Sequence, residues 1–403
     1  MSVADRLAVV VLLGCLACAG QPDAAPEEQE ADLRQNVQFG DPLPGLSAAD
    51  KARFLAGQEA FAEVEAVTDG LGPVFNEASC AACHLGPSLS VGGSNGRLET
   101  RFGRDSAGHF DPLAAQGGSL LNDHGIGAVG NGYVYDGEKI PTEANVVARR
   151  RTTPLFGLGL VDAVPEAEIQ KLAALERAID SAVAGTVAMV PDISKGRLAV
   201  GRFGWKNQNP TLFQFAGDAY LNEMGITNPE FPGESCPQGD CSTLDNNPVP
   251  GLNDDGEDVV KFADFMSLLA PPSRGKIGTR ELAGELVFVS IGCATCHTPT
   301  LVTGRSPVSA LSLKIFHPFS DFLLHDMGSL GDGIEQGPAG IRQIRTQPLW
   351  GLRTQGTLLH DGRATTPAEA ILAHDGQGKR ARDRFAALRS GERTTLLAFL
   401  ASL

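Results

Sequence analysis

Two five-residue stretches carry the most specific chemistry in this chain: Cys80-Ala81-Ala82-Cys83-His84 and Cys293-Ala294-Thr295-Cys296-His297. Each is a C-x-x-C-H, the attachment pattern of a c-type haem. The two thiols form thioethers with the porphyrin vinyl groups, and the adjacent histidine turns back to ligate the iron. C-x-x-C alone also suits a zinc site or a thioredoxin-like dithiol, but neither needs a histidine directly after it. Two copies in one chain point to two haems. Cys80, Cys83, Cys293 and Cys296 are then the attachment points, and His84 and His297 the proximal ligands.

The segments that must position these motifs show the same doubling. Arg151-Thr-Thr-Pro-Leu-Phe-Gly-Leu158 follows the first motif and Arg345-Thr-Gln-Pro-Leu-Trp-Gly-Leu352 follows the second, with six of eight positions identical. That order, occurring twice, is what a duplicated one-haem domain shows. The boundaries expected are 47–265 for the N-terminal haem domain and 266–403 for the C-terminal one. Helical signals surround the motifs. Ser47 with Asp50 reads as a helix start, and Phe54-Leu55 and Phe61-Ala62 recur two turns apart on one face, interrupted by Gln58. Thr279 starts a helix over 280–289. Thr366-Pro367-Ala368-Glu369 is a capping box with proline at the first helical position, and its helix carries Ala370, Ile371 and His374 before Gly376. The run 393–403 reads as a terminal helix. Glycine-rich stretches at 92–109, 117–132 and 328–340, with 25 prolines overall, read as long ordered loops.

Composition fits a globular body: 403 residues, 42% hydrophobic, enough for two domains. A net charge of −15 argues against nucleic-acid binding and suits a small, positively charged electron-transfer partner. The start reads as a secretory signal over 1–19: Arg6, then an apolar run from Leu7 to Leu13 too short to span a membrane. Leu12-Leu13-Gly14-Cys15 fits a lipoprotein cleavage site, with Cys18 as the other candidate for lipidation. Residues 20–46 read as an acidic linker. The expected location is the periplasmic side of a bacterial envelope, with the membrane met only through that lipid anchor. Cys236 and Cys241 are left over, and in an oxidising compartment they are expected to close a small disulfide loop.

The motifs together resemble a known family. They are C-A-A-C-H, R-T-T-P-L-F-G-L-G-L-V-D-A-V-P, G-R-F-G-W-K, N-E-M-G-I-T-N-P, G-C-A-T-C-H-T-P, L-L-H-D-M-G and L-H-D-G-R-A. Over about 47–403 the chain resembles the di-haem oxidoreductases named as a putative peroxidase family, also labelled predicted thiol oxidoreductases. It is more distantly similar to the bacterial di-haem cytochrome c peroxidases. The fold expected is mainly α: two cytochrome c-like haem domains with long ordered loops, related by duplication.

The resemblance implies several roles. In the peroxidases a ligand of the C-terminal haem stands fourteen residues after the histidine of a His-Asp-Gly turn. Here the turn is His360-Asp361-Gly362, and the position is His374 rather than the usual methionine. Bis-histidine ligation follows, with a lower potential than His/Met gives. Trp205 matches a tryptophan between the haems, and Gln214 and Glu223 match residues lining the peroxide pocket, with spacing that departs by about one residue. Arg149, Arg150, Arg151, Arg345 and Arg363 are candidate partners for haem propionates. His109 or His124 would be the sixth ligand of the first haem if that position is not open. His325-Asp326-Met327-Gly328 matches the family without an assigned role. A calcium ion between the domains is a further implication, with no ligand set assigned.

The function implied is an enzyme, a peroxidase-like di-haem oxidoreductase. It would reduce hydrogen peroxide or another small oxidant at the N-terminal haem, with electrons from a small donor protein relayed through the C-terminal haem. The alternatives are an electron-transfer cytochrome with both irons six-coordinate and a haem-dependent thiol oxidoreductase.

Overall fold

Ser47 starts the first helix, accepting the Asp50 N–H on its hydroxyl at 3.1 Å. In this computed structural model residues 37–87 and 90–403 are described. The expected signal peptide and most of the acidic linker lie outside them. The helices are α1 Ala48–Ala62, α2 Cys80–Cys83, α3 Leu158–Asp162, α4 Glu166–Asp180, α5 Leu212–Met224 and α6 Glu257–Leu268. They continue with α7 Thr279–Ser290, α8 Pro367–Ala373, α9 Lys379–Ala386 and α10 Ser390–Ser402. Thr366 caps α8 as the sequence predicts, with Glu369 returning the bond and Pro367 at the first position. Among the described residues no helix is long and apolar enough to cross a membrane.

Strands claim more of the chain than a mainly α reading allows. β1 (Leu98–Ser106), β2 (His109–Asp111) and β3 (Val146–Arg151) form an antiparallel sheet with β1 in the centre. β4 (Met189–Asp192) pairs with β5 (Arg197–Val200), and β6 (Leu324–Asp326) pairs with β7 (Gln343–Arg345). The stretch 92–109, expected to be loop, therefore contains a nine-residue strand. Its glycines cluster at the entry, while Phe102 is fully buried within it. Gly103 admits the Phe110 ring: a Cβ there would stand 2.4 Å from it. The fold is mixed, with helices dominant and several small antiparallel sheets.

The helix faces that bury are set by glycine and phenylalanine. In α1, Gly57 lies so close to α6 that a Cβ would meet the Lys261 carbonyl at 2.3 Å. Phe61, one turn on, packs on Phe265 with ring centroids 5.0 Å apart. In α7, a Cβ on Gly284 would meet the Thr395 carbonyl of α10 at 2.0 Å, and Phe288, one turn on, packs on Phe399 at 5.2 Å. Leu55, assigned to the buried face by the repeat, is instead 52% exposed. Gly57 at the crossing, rather than the Leu55 side, faces the partner helix. The same geometry recurs at the chain's R-T-x-P-L segments. Gly157 (φ 70) donates its N–H to the Leu269 carbonyl just past α6, and Gly351 (φ 73) to the Leu403 carbonyl just past α10. Positive φ is where glycine is at home.

Candidate functional site

Each C-x-x-C-H closes on itself in the same way. The His84 N–H reaches the Cys80 carbonyl at 3.0 Å, and the His297 N–H the Cys293 carbonyl at 2.9 Å. The helix-crossing phenylalanines face these imidazoles: Phe61 to His84 at 5.9 Å and Phe288 to His297 at 6.2 Å between ring centroids. Desolvation pushes both imidazoles down to about 4, and His374 adds to the effect on His297. Neutral imidazole is the form that binds a metal.

His374 caps the end of α8, and its Nδ1 stands 2.7 Å from the Ala370 carbonyl. His297 does the same with Phe319, at 3.0 Å. In the tautomer that donates from Nδ1, each ring turns a free Nε2 outward, which is how ligating histidines are held. The residues fit a haem by another test. The buried His84 ring faces the Gly93 and Thr153 main chain. Arg151, 6% exposed, has a buried Nε without a partner, and burial alone lowers its pKa to about 10. Arg345 is likewise lowered to about 10 by burial, against the pull of Asp321. Guanidiniums buried without a salt-bridged carboxylate suit haem propionates.

The other arginines behave differently. Arg150 is 1% exposed and spent on Asp332, at 2.8 Å, and on the Gln336 amide oxygen, at 2.6 Å. Arg363 pairs with Asp361 at the surface, and Arg149 is exposed. Arg151 thus keeps a buried nitrogen without a partner, whereas Arg345 donates to the Gly204 and Thr346 carbonyls and to the Gln347 amide oxygen.

Glu223 is brought to the first motif by α5. Helix α5 starts at Thr211, whose hydroxyl accepts the Gln214 N–H, and stops at Gly225 with φ 74. Glu223 presents Oε2 to the Asn76 amide at 2.8 Å, and its main-chain carbonyl accepts the Asn76 N–H at 2.7 Å. Next to it, Met224 is buried with its sulfur 4.0 Å from Cys80 Sγ. Burial, and then the charge of Glu99, push the Glu223 carboxyl up to about 8. Burial also works against Glu99, but Arg101 and Arg150 overcome it and hold Glu99 below its ordinary value. The Glu99–Arg101 pair is closed at 2.9 Å. Sequence reasoning missed Glu99 and Arg101, which sit on a strand read as loop. The available signal was their alternation with Phe102 and the register that sets Glu99 opposite Arg150.

Gln214 is not brought to Glu223. Nine residues along a helix separate them by about 13 Å and place them on opposite faces. The Gln214 amide is spent on Pro191, Asn209 and Ile193, tying α5 to the β4–β5 hairpin. His109 and His124 are both exposed, and His124 pairs with Asp123 at 2.7 Å.

Trp205 is 8% exposed and lies between the two R-T-x-P-L segments. Its indole N–H donates to the Arg151 carbonyl at 2.8 Å, and its own carbonyl accepts the Arg345 N–H at 2.9 Å. His360 meets its ring edge-on at 6.1 Å. Cys236 and Cys241 form the expected disulfide. His325, of unassigned role in the sequence, is 2% exposed; its Nε2 lies 2.9 Å from Asp321 and its Nδ1 3.5 Å from Cys296 Sγ.

Comparison with known proteins follows this geometry. The family described as di-haem oxidoreductase, putative peroxidase, matches residues 139–403. That span holds the second motif, both R-T-x-P-L segments, Trp205, Glu223 and His374; the first motif precedes it. No curated protein matches the chain. Two solved structures are similar along almost the whole length. One is hydrazine synthase of Kuenenia stuttgartiensis, pressurised with xenon: 14% identity, TM-score 0.39, 96% of this chain and 97% of that one. The other is a MauG-like protein associated with microbial copper homeostasis: 13% identity, TM-score 0.39, 96% of this chain and 95% of that one. With well over half of its residues matched by that one family, the chain belongs to the di-haem oxidoreductases.

Proposed function

We propose that the protein is a peroxidase-like enzyme of the bacterial envelope, built from two duplicated haem domains, that reduces a small oxidant at the first motif. Electrons from a small donor protein enter at the second motif. The observation that carries this reading is Glu223: a carboxyl beside the first C-x-x-C-H, fixed by Asn76 and still protonated near neutral pH. A haem held there by Cys80, Cys83 and His84 would supply the redox chemistry. The chain's own residues supply the rest. Glu223 can give a proton at Oε1 or Oε2 to an oxygen of the oxidant and take it back. Such general acid–base transfer typically contributes ~10²–10⁴-fold. Burial, and then repulsion by ionised Glu99, keep the proton on Glu223, and Arg101 keeps Glu99 ionised. His109 and His124 face solvent, and on this reading neither would hold the first haem.

At the second motif Cys293, Cys296, His297 and His374 would hold the other haem, which would supply electron transfer. Trp205, pinned between the two segments, is the bridge. The doubled glycine crossings and the doubled Gly157 and Gly351 turns support descent from one duplicated unit. The test is peroxide turnover of the haem-loaded protein. Glu223→Gln is expected to lose ~10²–10⁴-fold while keeping both haems, and Cys236→Ser to keep full activity. Full turnover in Glu223→Gln refutes the assignment.

A further inference from the structure

Charge is divided unevenly along this chain. Residues 266–403 hold 15 Lys and Arg against 11 Asp and Glu, a net of +4, while residues 1–265, with 18 against 37, hold −19. The cations gather in one stretch. Lys379, Arg380, Arg382, Arg384, Arg389 and Arg393 fall within 15 residues that contain two carboxylates, Asp383 and Glu392. Asp180 and Asp375 reach in to Arg380 and Arg382 from neighbouring elements, and the cations still outnumber the carboxylates six to four. Helix α9, which carries four of the six, touches both sides of the second motif. Arg384 donates to the Ile291 carbonyl, two residues before Cys293, at 3.3 Å, and Arg382 to the His374 carbonyl at 2.9 Å. The side chains of Arg389, Lys379 and Arg380 are 85%, 56% and 52% exposed. Apolar side chains are exposed on the elements that lead into the two ligands. Leu282 and Leu286, one turn apart on α7, are exposed, and so is Leu372, two residues before His374.

We propose that the face around α9 docks a small acidic one-electron carrier protein, which delivers its electron to the second haem. The inference deepens the reading above and rests on its entry point for electrons. The overall charge of −15 favours a basic donor, and the local charge reverses that expectation. At physiological salt the screening length is about 8 Å, so a docked partner is governed by the cations around α9 rather than by carboxylates farther off. An acidic carrier is drawn to this face and repelled by the −19 of residues 1–265, which steers it to the second motif and away from the first. The arginines supply bidentate, permanently charged partners for its carboxylates. Lys379 pairs with Asp383 at 2.7 Å and Arg389 with Glu392 at 2.8 Å, both on the surface. Such exposed pairs contribute little to the fold and open readily to an incoming carboxylate. The exposed leucines would supply apolar contact inside a charged rim. One electron leaves the carrier, which is oxidised, and the second iron goes from ferric to ferrous. No proton or atom changes hands.

The experiment uses the full haem-loaded protein and one probe in two charge states: mitochondrial cytochrome c, which is basic, and the same cytochrome with its lysines succinylated, which is acidic. Each, in its oxidised form, takes an electron from the reduced protein in stopped flow, and calorimetric titration reads binding without electron transfer. The acidic form is expected to bind, and its rate to fall as salt rises. Electrostatic steering is worth roughly 10–10³-fold in association rate. Lys379→Glu, Arg380→Glu and Arg389→Glu together should therefore slow the acidic form at least about tenfold at low salt and weaken its binding, with both haem spectra unchanged. Glutamine at the same three positions should give a smaller effect of the same sign, and neither set should slow the basic form. An acidic form whose rate rises with salt, or whose rate neither set changes, overturns the inference, as do sets that slow both forms alike. Sedimentation that finds a low-salt dimer dissolved by the three reversals also overturns it, because a second copy then holds the face. Peroxide turnover is not read, so this inference and the peroxidase reading fail separately.

Discussion

Trp205 and Arg151 are joined by a single buried hydrogen bond, the indole N–H to the main-chain carbonyl at 2.8 Å. Since the Trp205 carbonyl receives the Arg345 N–H, one residue ties the equivalent arginines of the two R-T-x-P-L segments together. Trp205→Phe keeps a ring in place and removes the bond. The unsatisfied carbonyl should cost about 1–3 kcal/mol. Electron passage between the haems, followed by stopped-flow reduction, should slow while both haem spectra stay as they were. Unchanged passage would remove Trp205 from the route.

Glu223 also makes stability depend on pH, with a definite sign. Its carboxyl sits at about 8 in the folded protein and at about 4.3 in an unfolded chain. Folding therefore takes up a proton between those values. The stabilisation is full below the lower value and is lost as pH rises through the upper one. Calorimetry should show the melting temperature falling from roughly pH 5 to pH 8, and Glu223→Gln should flatten that fall. A parallel fall in the variant would place the titrating group elsewhere.

The two C-x-x-C-H motifs stand out in sequence because each is a set of residue types at fixed spacing, whereas His374, Trp205 and Glu223 were singled out through the family resemblance. The helices at 47 and 366 were legible because caps are local. What was not legible is long-range. β1 is held by pairing with β3, which begins 40 residues after β1 ends, so its own composition reads as loop. Gln214 and Glu223 fall inside one pattern, yet a helix between them turns them apart. Arg150 looks like Arg151 in sequence, and only the approach of Asp332 separates an arginine in a buried ion pair from one with a buried Nε left without a partner. The cluster around His325 joins residues at 176, 296, 321 and 377, and no window of sequence holds it.

His374 offers a spectroscopic test of the second site. His374→Met replaces a nitrogen by a sulfur at a helix end already shaped for a ligand, capped at its start by Thr366 and Glu369. A thioether ligand raises a c-haem's potential. The variant should show that rise in potentiometric titration, together with a sulfur-to-iron absorption band in the far red. If the spectrum and potential stay put, His374 is outside the iron's ligand sphere.

The helix crossings supply the last prediction. Gly57 and Gly284 each let a carbonyl of the facing helix approach where a Cβ would otherwise stand, at 2.3 Å and 2.0 Å. Backbone cannot move aside as a flexible side chain can, so alanine must push the helices apart. Overpacking of this kind costs about 1–3 kcal/mol or more. The helix interior pulls the other way, since alanine is favoured over glycine by up to about 1 kcal/mol. The clash is the larger effect, and net destabilisation is expected at both positions. Separation should also disturb Phe61 on His84 and Phe288 on His297, each one turn from the crossing. Gly57→Ala should therefore alter the spectrum of the first haem and leave the second unchanged, with Gly284→Ala doing the reverse. A pair of variants that melt as the parent does, with both spectra intact, would show that the crossings do not set the position of the motif histidines.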